Sequence, residues 1–96
     1  MRELEFLMTL ESVIQDRLDN PTEASYTSRL AAGGEIKVAK KLGEEAVEAA
    51  LAAVGETPSR LTEEAADLLY HLLLLLKMRG LSLQAVVGEL ERRHKS

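Results

Sequence analysis

The sequence predicts an all-α protein of four to five helices. Three observations carry this expectation. No segment alternates apolar and polar residues convincingly with period two, so no strand is expected. Apolar residues recur instead at i, i+3 and i+4, the spacing of one helical face. Proline, glycine and hydroxyl residues fall between those stretches, where helices stop and start.

Each element follows from these signals. Phe6, Leu7, Leu10, Val13, Ile14 and Leu18 form the apolar face of a first helix that ends before Asn20-Pro21. Ser25 to Ala32 reads as a short helix stopped by Gly33-Gly34. A long helix is expected from about Glu35 to Val54. Thr57 and Pro58 then look like an N-cap followed by proline in the first turn of another, which runs to Arg79 with Gly80 as its left-handed terminator. Ser82 caps a last helix whose inner face is Leu83, Val86, Val87 and Leu90. The turn at Gly55, Thr57 and Pro58 is short, so the two long helices must lie side by side and antiparallel.

With 96 residues the chain is read as one domain, residues 1–96, small enough that a partner chain would help to cover its core. Aromatic residues make up 3 %, which leaves Leu, Ala and Val to build that core. The net charge of −4 argues against sequence-independent binding to nucleic acid or to an anionic membrane. The absence of cysteine excludes disulfides and thiolate metal sites and suits a reducing cytoplasm. The Met1-Arg2-Glu3 start carries no signal-peptide pattern, and the apolar run Leu72 to Leu76 is far too short for a bilayer.

Four carboxylates dominate the chemistry. Glu45 and Glu48 form one i, i+3 pair, and Glu64 and Asp67 form a second on the neighbouring helix. Each pair shares a helical face, so all four are able to converge between the two helices. Unpaired negative charges at close range repel unless a cation sits among them. Hard oxygen ligands suit Mg²⁺, and also Mn²⁺, ions that commonly accompany a phosphate-bearing substrate. A charged helical residue ordinarily belongs to a solvated face. Here the rest of the helix argues otherwise: Leu68, Leu69, Leu72, Leu73 and Leu76 cover most of the circumference that Glu64, Asp67 and His71 leave free.

On the preceding helix, Val38, Ala39, Leu42, Ala46, Ala49, Ala50 and Ala53 form one apolar face, and Ile36, Val47, Leu51 and Val54 form another. Lys37, Lys41, Glu44, Glu45 and Glu48 share the polar strip between them, with lysine before glutamate, the weaker order for helix-stabilising pairs. Arg29, Lys37 and Lys41 are candidates to hold phosphate oxygens. Lys40 is expected to turn away from the strip into solvent. His71, one turn after Asp67, is expected to hydrogen-bond behind the acidic groups rather than to hold the ion itself. No glycine-rich phosphate loop, nucleophile elbow or His-Glu-x-x-His pair competes with this reading.

The run Lys41-Leu42-Gly43-Glu44-Glu45-Ala46-Val47-Glu48 and the run Glu63 to Leu72, with its Asp67-Leu68-Leu69-Tyr70-His71, closely resemble the phosphoribosyl-ATP pyrophosphatase family of histidine biosynthesis. Ser25 to Leu30 and Glu89 to His94 resemble it too, so the likeness spans essentially the whole chain. The paired acidic motifs alone indicate only the wider superfamily of all-α, MazG-like nucleotide pyrophosphatases.

The resemblance implies a MazG-like helical bundle assembled as a homodimer, acting without a fused cyclohydrolase-type domain. It implies Mg²⁺-dependent hydrolysis of 1-(5-phosphoribosyl)-ATP to the AMP derivative and pyrophosphate. It assigns metal binding to Glu45, Glu48, Glu64 and Asp67, with Glu44 as a further acidic participant of unassigned role. Two rivals stay open on the residues themselves. One is a housekeeping MazG-like enzyme acting on another nucleoside triphosphate. The other is a helical dimerisation or adaptor module whose acidic stripe pairs with a basic partner.

Overall fold

A computed structural model describes residues 2–95 as five helices. They are α1 (Arg2–Asp19), α2 (Tyr26–Ala32), α3 (Glu35–Gly55), α4 (Pro58–Met78) and α5 (Leu83–Arg93), with no strand among the described residues. The all-α expectation holds, and each boundary falls where local chemistry sets it. Ser25, Thr57 and Ser82 are N-caps whose hydroxyls accept from the amides of Ser28, Arg60 and Ala85 at 3.1, 3.2 and 3.1 Å. Caps of this kind are each worth about 1 kcal/mol. At the end of α4, Gly80 takes φ +75°, and the amides of Leu81 and Gly80 reach back to the carbonyls of Leu76 and Lys77 at 2.8 and 3.0 Å. That pair of hydrogen bonds is the glycine-terminated stop expected from Gly80.

α3 and α4 share the most extensive contact in the chain. They are joined at one end by Glu56 and Thr57, and at the other Arg79 meets Glu35 at 3.0 Å, so the two run antiparallel along their length. Ile14, Leu30, Val38, Leu73 and Leu74 form the buried core, with Leu7, Leu10, Leu18, Tyr70, Leu75, Met78 and Leu83 packed around them. α1 and α2 thus close one side of the hairpin.

Three expectations about apolar faces need correction for the single chain. On α1, Leu7, Leu10, Ile14 and Leu18 turn inward, but Phe6 and Val13 are exposed. On α5 only Leu83 packs against the core, whereas Val86, Val87 and Leu90 lie open, because α5 leaves α4 at a bend of 105°. On α3 the buried apolar residues are Val38, Ala49 and Ala52, while Ile36, Val47, Leu51 and Val54 form an uncovered stripe. Among the described residues no single helix is long and apolar enough to cross a membrane.

Candidate active site

Glu45 on α3 and Glu64 on α4 are each only 5 % exposed, although a buried carboxylate is costly. The α3–α4 packing brings them together with Glu48, which stays at the surface. The three residues each offer a carboxylate oxygen within 4.8 Å of the other two.

The two buried acids are held alike. Lys41, four residues before Glu45, places Nζ 3.3 Å from Glu45 Oε1. Arg60, four residues before Glu64, donates through Nη2 to Glu64 Oε1 and also engages Glu63 at 3.0 Å and Glu56 at 3.4 Å. Each carboxylate is therefore anchored through one oxygen. The other oxygens, Glu45 Oε2 and Glu64 Oε2, are buried with no hydrogen-bond partner. A buried anionic oxygen without a donor costs several kcal/mol. Two of them, with Glu48 within reach, make a donor set that a hard divalent cation would satisfy, with room for water or phosphate oxygens. The residues fit such an ion.

The electrostatics agree. Glu48 is held above the ordinary carboxylate range, first by the charge of Glu45 and then by its proximity to Glu64. Lys41 is held above the ordinary lysine range by its hydrogen bond to Glu45 and that residue's charge.

Asp67 lies one turn beyond Glu64, exposed and outside the group of three. Its backbone carbonyl has a partner in the buried His71, whose Nδ1–H donates to it at 2.6 Å. A carbonyl only accepts, so Nδ1 carries the proton. In that tautomer Nε2 accepts from the Tyr26 hydroxyl at 3.1 Å. His71 also stands edge-on to the rings of Tyr26 and Tyr70, at centroid distances of 6.1 and 5.1 Å. Beside it Thr27 Oγ1 meets the Tyr70 hydroxyl. Burial is the main cause that raises the Tyr70 phenol above its usual range. These two contacts clip α2 onto α4, and neither is signalled by local sequence.

Of the basic candidates, Lys41 reaches the site. Arg29 is exposed and donates to the Glu23 carbonyl at 2.7 Å, in the connection before α2. Lys37 and Glu44 line a cavity of about 520 Å³ between α2 and the start of α3. Lys40 is exposed, as expected, but it lines the same cavity as Lys37 rather than turning away from it. At 3.6 residues per turn, Lys37, Lys40, Lys41 and Glu44 follow one i, i+3, i+4, i+7 stripe. Arg60 was also overlooked, although its i, i+4 spacing to Glu64 was a readable signal.

An all-α hairpin with a carboxylate group fit for a hard cation, flanked by lysines, is the equipment of a protein that handles phosphate anhydrides. Comparison with known proteins narrows the class. Residues 7–94 match the family model described as phosphoribosyl-ATP pyrophosphohydrolase, and the chain belongs to that family. Similar relatives include phosphoribosyl-ATP pyrophosphatases of Pyrobaculum islandicum, 57 % identical over 93 % of this chain and 95 % of the relative, and of Rhizobium rhizogenes, 55 % identical over 91 % and 84 %. A third, from Rhizobium johnstonii, is 54 % identical over 91 % of this chain and 81 % of its own length.

Proposed function

We propose that this chain hydrolyses 1-(5-phosphoribosyl)-ATP to 1-(5-phosphoribosyl)-AMP and pyrophosphate, a step of histidine biosynthesis, in the cytoplasm and as a homodimer. The observation that carries the reading is the pair of orphaned oxygens on Glu45 and Glu64, in a family whose relatives bear the name of that activity. Glu45, Glu48 and Glu64 hold Mg²⁺, with Mn²⁺ as an alternative, and Asp67 is the fourth carboxylate that the family resemblance assigns. When bound, the cation withdraws charge from phosphoryl oxygens and acidifies a water.

The chain's own residues do the rest. Lys41 and Arg60 fix the orientation of the two buried carboxylates before substrate arrives, which removes a reorganisation cost from the reaction. A water oxygen forms a bond to phosphorus as the anhydride bond breaks and pyrophosphate leaves. The water's proton passes to a carboxylate oxygen at the exposed rim, where Glu44, Glu48 and Asp67 stand.

The homodimer is inferred from the uncovered stripe Ile36, Val47, Leu51 and Val54 on α3, where Ile36 is 82 % and Val54 85 % exposed. A run of this kind on a small domain is ordinarily covered by a partner. A second copy suits it, since the stripe lies on the helix that carries Glu45 and Glu48.

Release of pyrophosphate from phosphoribosyl-ATP, ATP and dUTP, with and without Mg²⁺, tests the reading. Release from phosphoribosyl-ATP alone, and only with the ion, supports it. Comparable turnover of dUTP would favour the housekeeping enzyme, and no release from any of them the adaptor module.

A further inference from the structure

The cavity beside the acidic group holds an arrangement that hydrolysis of a triphosphate does not need. It is bounded by Leu30 and Gly33 of the α2 end and by Ile36, Lys37, Lys40 and Lys41 of α3, with Glu44 as the one acid on its lining. Lys41 is engaged with Glu45. Among the described residues, Lys37 and Lys40 have no carboxylate oxygen within 4.0 Å. Two unpaired ammonium groups thus share one concavity in a chain with net charge −4. The cavity lies against the first turn of α3, where Gly34 supplies no side-chain cap and the leading amides are left for a ligand.

Gly33 bears on where Lys37 lies. Its φ of −76° is one that any residue adopts, so the backbone does not require glycine. A Cβ there would sit 2.5 Å from Cδ of Lys37, and that flexible side chain would have to shift. The stem of Lys37 lies across Gly33, and the missing side chain lets it do so.

We propose that this cavity is a separate subsite for a phosphomonoester, and, resting on the function proposed above, that it takes the 5-phosphate of the substrate's phosphoribosyl arm. That substrate is anionic at two ends. Its triphosphate is drawn with the cation to Glu45, Glu48 and Glu64. Lys37 precedes Glu45 by eight residues, about 12 Å of helical rise, so the two groups stand at different levels of α3. The monophosphate, with a charge between −1 and −2 at neutral pH, matches Lys37 and Lys40, and Leu30 offers an apolar wall to the sugar. The subsite then distinguishes phosphoribosyl-ATP from ATP by a charge that only the former carries.

Calorimetric titration of the wild type with Mg²⁺ and phosphoribosyl-AMP, AMP or pyrophosphate tests this, alongside Lys37→Met, Lys40→Met, Lys40→Arg and Gly33→Ala. Phosphoribosyl-AMP keeps the 5-phosphate of the phosphoribosyl arm, whereas AMP carries only the adenylate 5′-phosphate and pyrophosphate carries no monoester. Each Met variant should weaken phosphoribosyl-AMP by about five- to tenfold, as a lost charged contact does, and leave AMP and pyrophosphate unchanged. Gly33→Ala, which alters no charge, should also weaken phosphoribosyl-AMP, and Lys40→Arg should restore most of the binding. Loss of pyrophosphate affinity in the Met variants would overturn the assignment, because the lysines would then serve the leaving phosphates. Unchanged phosphoribosyl-AMP affinity would overturn it as well. Ribose 5-phosphate as a ligand separates this claim from the proposed reaction. If its binding depends on Lys40 while the wild type does not hydrolyse phosphoribosyl-ATP, the subsite stands and the substrate reading falls.

Discussion

Glu45 and Glu64 meet across the α3–α4 hairpin as a matched pair, each with one oxygen tied to a cation four residues earlier and the other buried without a partner. The pairing holds the carboxylates in place, and the orphaned oxygens remain open to an ion. Stability without a cation is given up for a site that is formed in advance.

Amide substitutions should separate those two effects. Glu48→Gln or Asp67→Asn replaces a charge without changing much volume, so either variant should lose turnover while keeping its helicity. Without Mg²⁺ its melting temperature should equal or exceed that of the wild type, because repulsion has been relieved. Near-normal activity in either variant would remove that residue from the ligand set.

The raised carboxyl of Glu48 gives the cation-free protein a pH signature. An acid whose folded pKa exceeds its unfolded value binds more protons when folded, so stability falls as pH rises through that window. In chelator, the destabilisation from Glu48 should be fully present above the raised folded value. It should fade as pH drops through that value toward the ordinary carboxylate range. Glu48→Gln should flatten this limb of a melting-temperature profile, and an unchanged limb would point to another group.

The Tyr26–His71 contact should matter for how α2 is held. Tyr26→Phe leaves Nε2 of a buried histidine without its donor, a loss of about 1–3 kcal/mol by denaturant unfolding. A cycle with His71→Phe should show that the two losses are not additive. Additive losses would mean that the bond contributes nothing of its own.

The hairpin and its acids were legible because they rest on local rules. Thr57-Pro58 starts a helix, Gly80 ends one, and i, i+3 spacing puts Glu45 beside Glu48 on one face. What the sequence left obscure depends on contacts between distant segments. Nothing local says that Tyr26 will find His71, or Thr27 find Tyr70, each more than forty residues away. The apolar residues of α5 look inward by periodicity alone, since periodicity identifies a face without saying what covers it. Lys40 is a different case: it is exposed as expected, and its i, i+3 relation to Lys37, which sets both on one cavity, is a local signal.

Covering the α3 stripe should make the assembly visible in solution. Sedimentation at micromolar concentration should give a dimer, and Leu51→Glu, in the middle of the exposed stripe, should shift it strongly toward monomer. A folded wild-type monomer would remove the homodimer from the proposal.

The carboxylate group as a cation site is tested most directly by calorimetric titration of Mn²⁺ into the wild type and into Glu64→Gln at neutral pH. Saturable binding is expected in the wild type, with at least a tenfold loss in Glu64→Gln for a lost ligand charge. Equal affinity in the two proteins, or no saturable binding in the wild type, would contradict the assignment of Glu45, Glu48 and Glu64 to a metal ion.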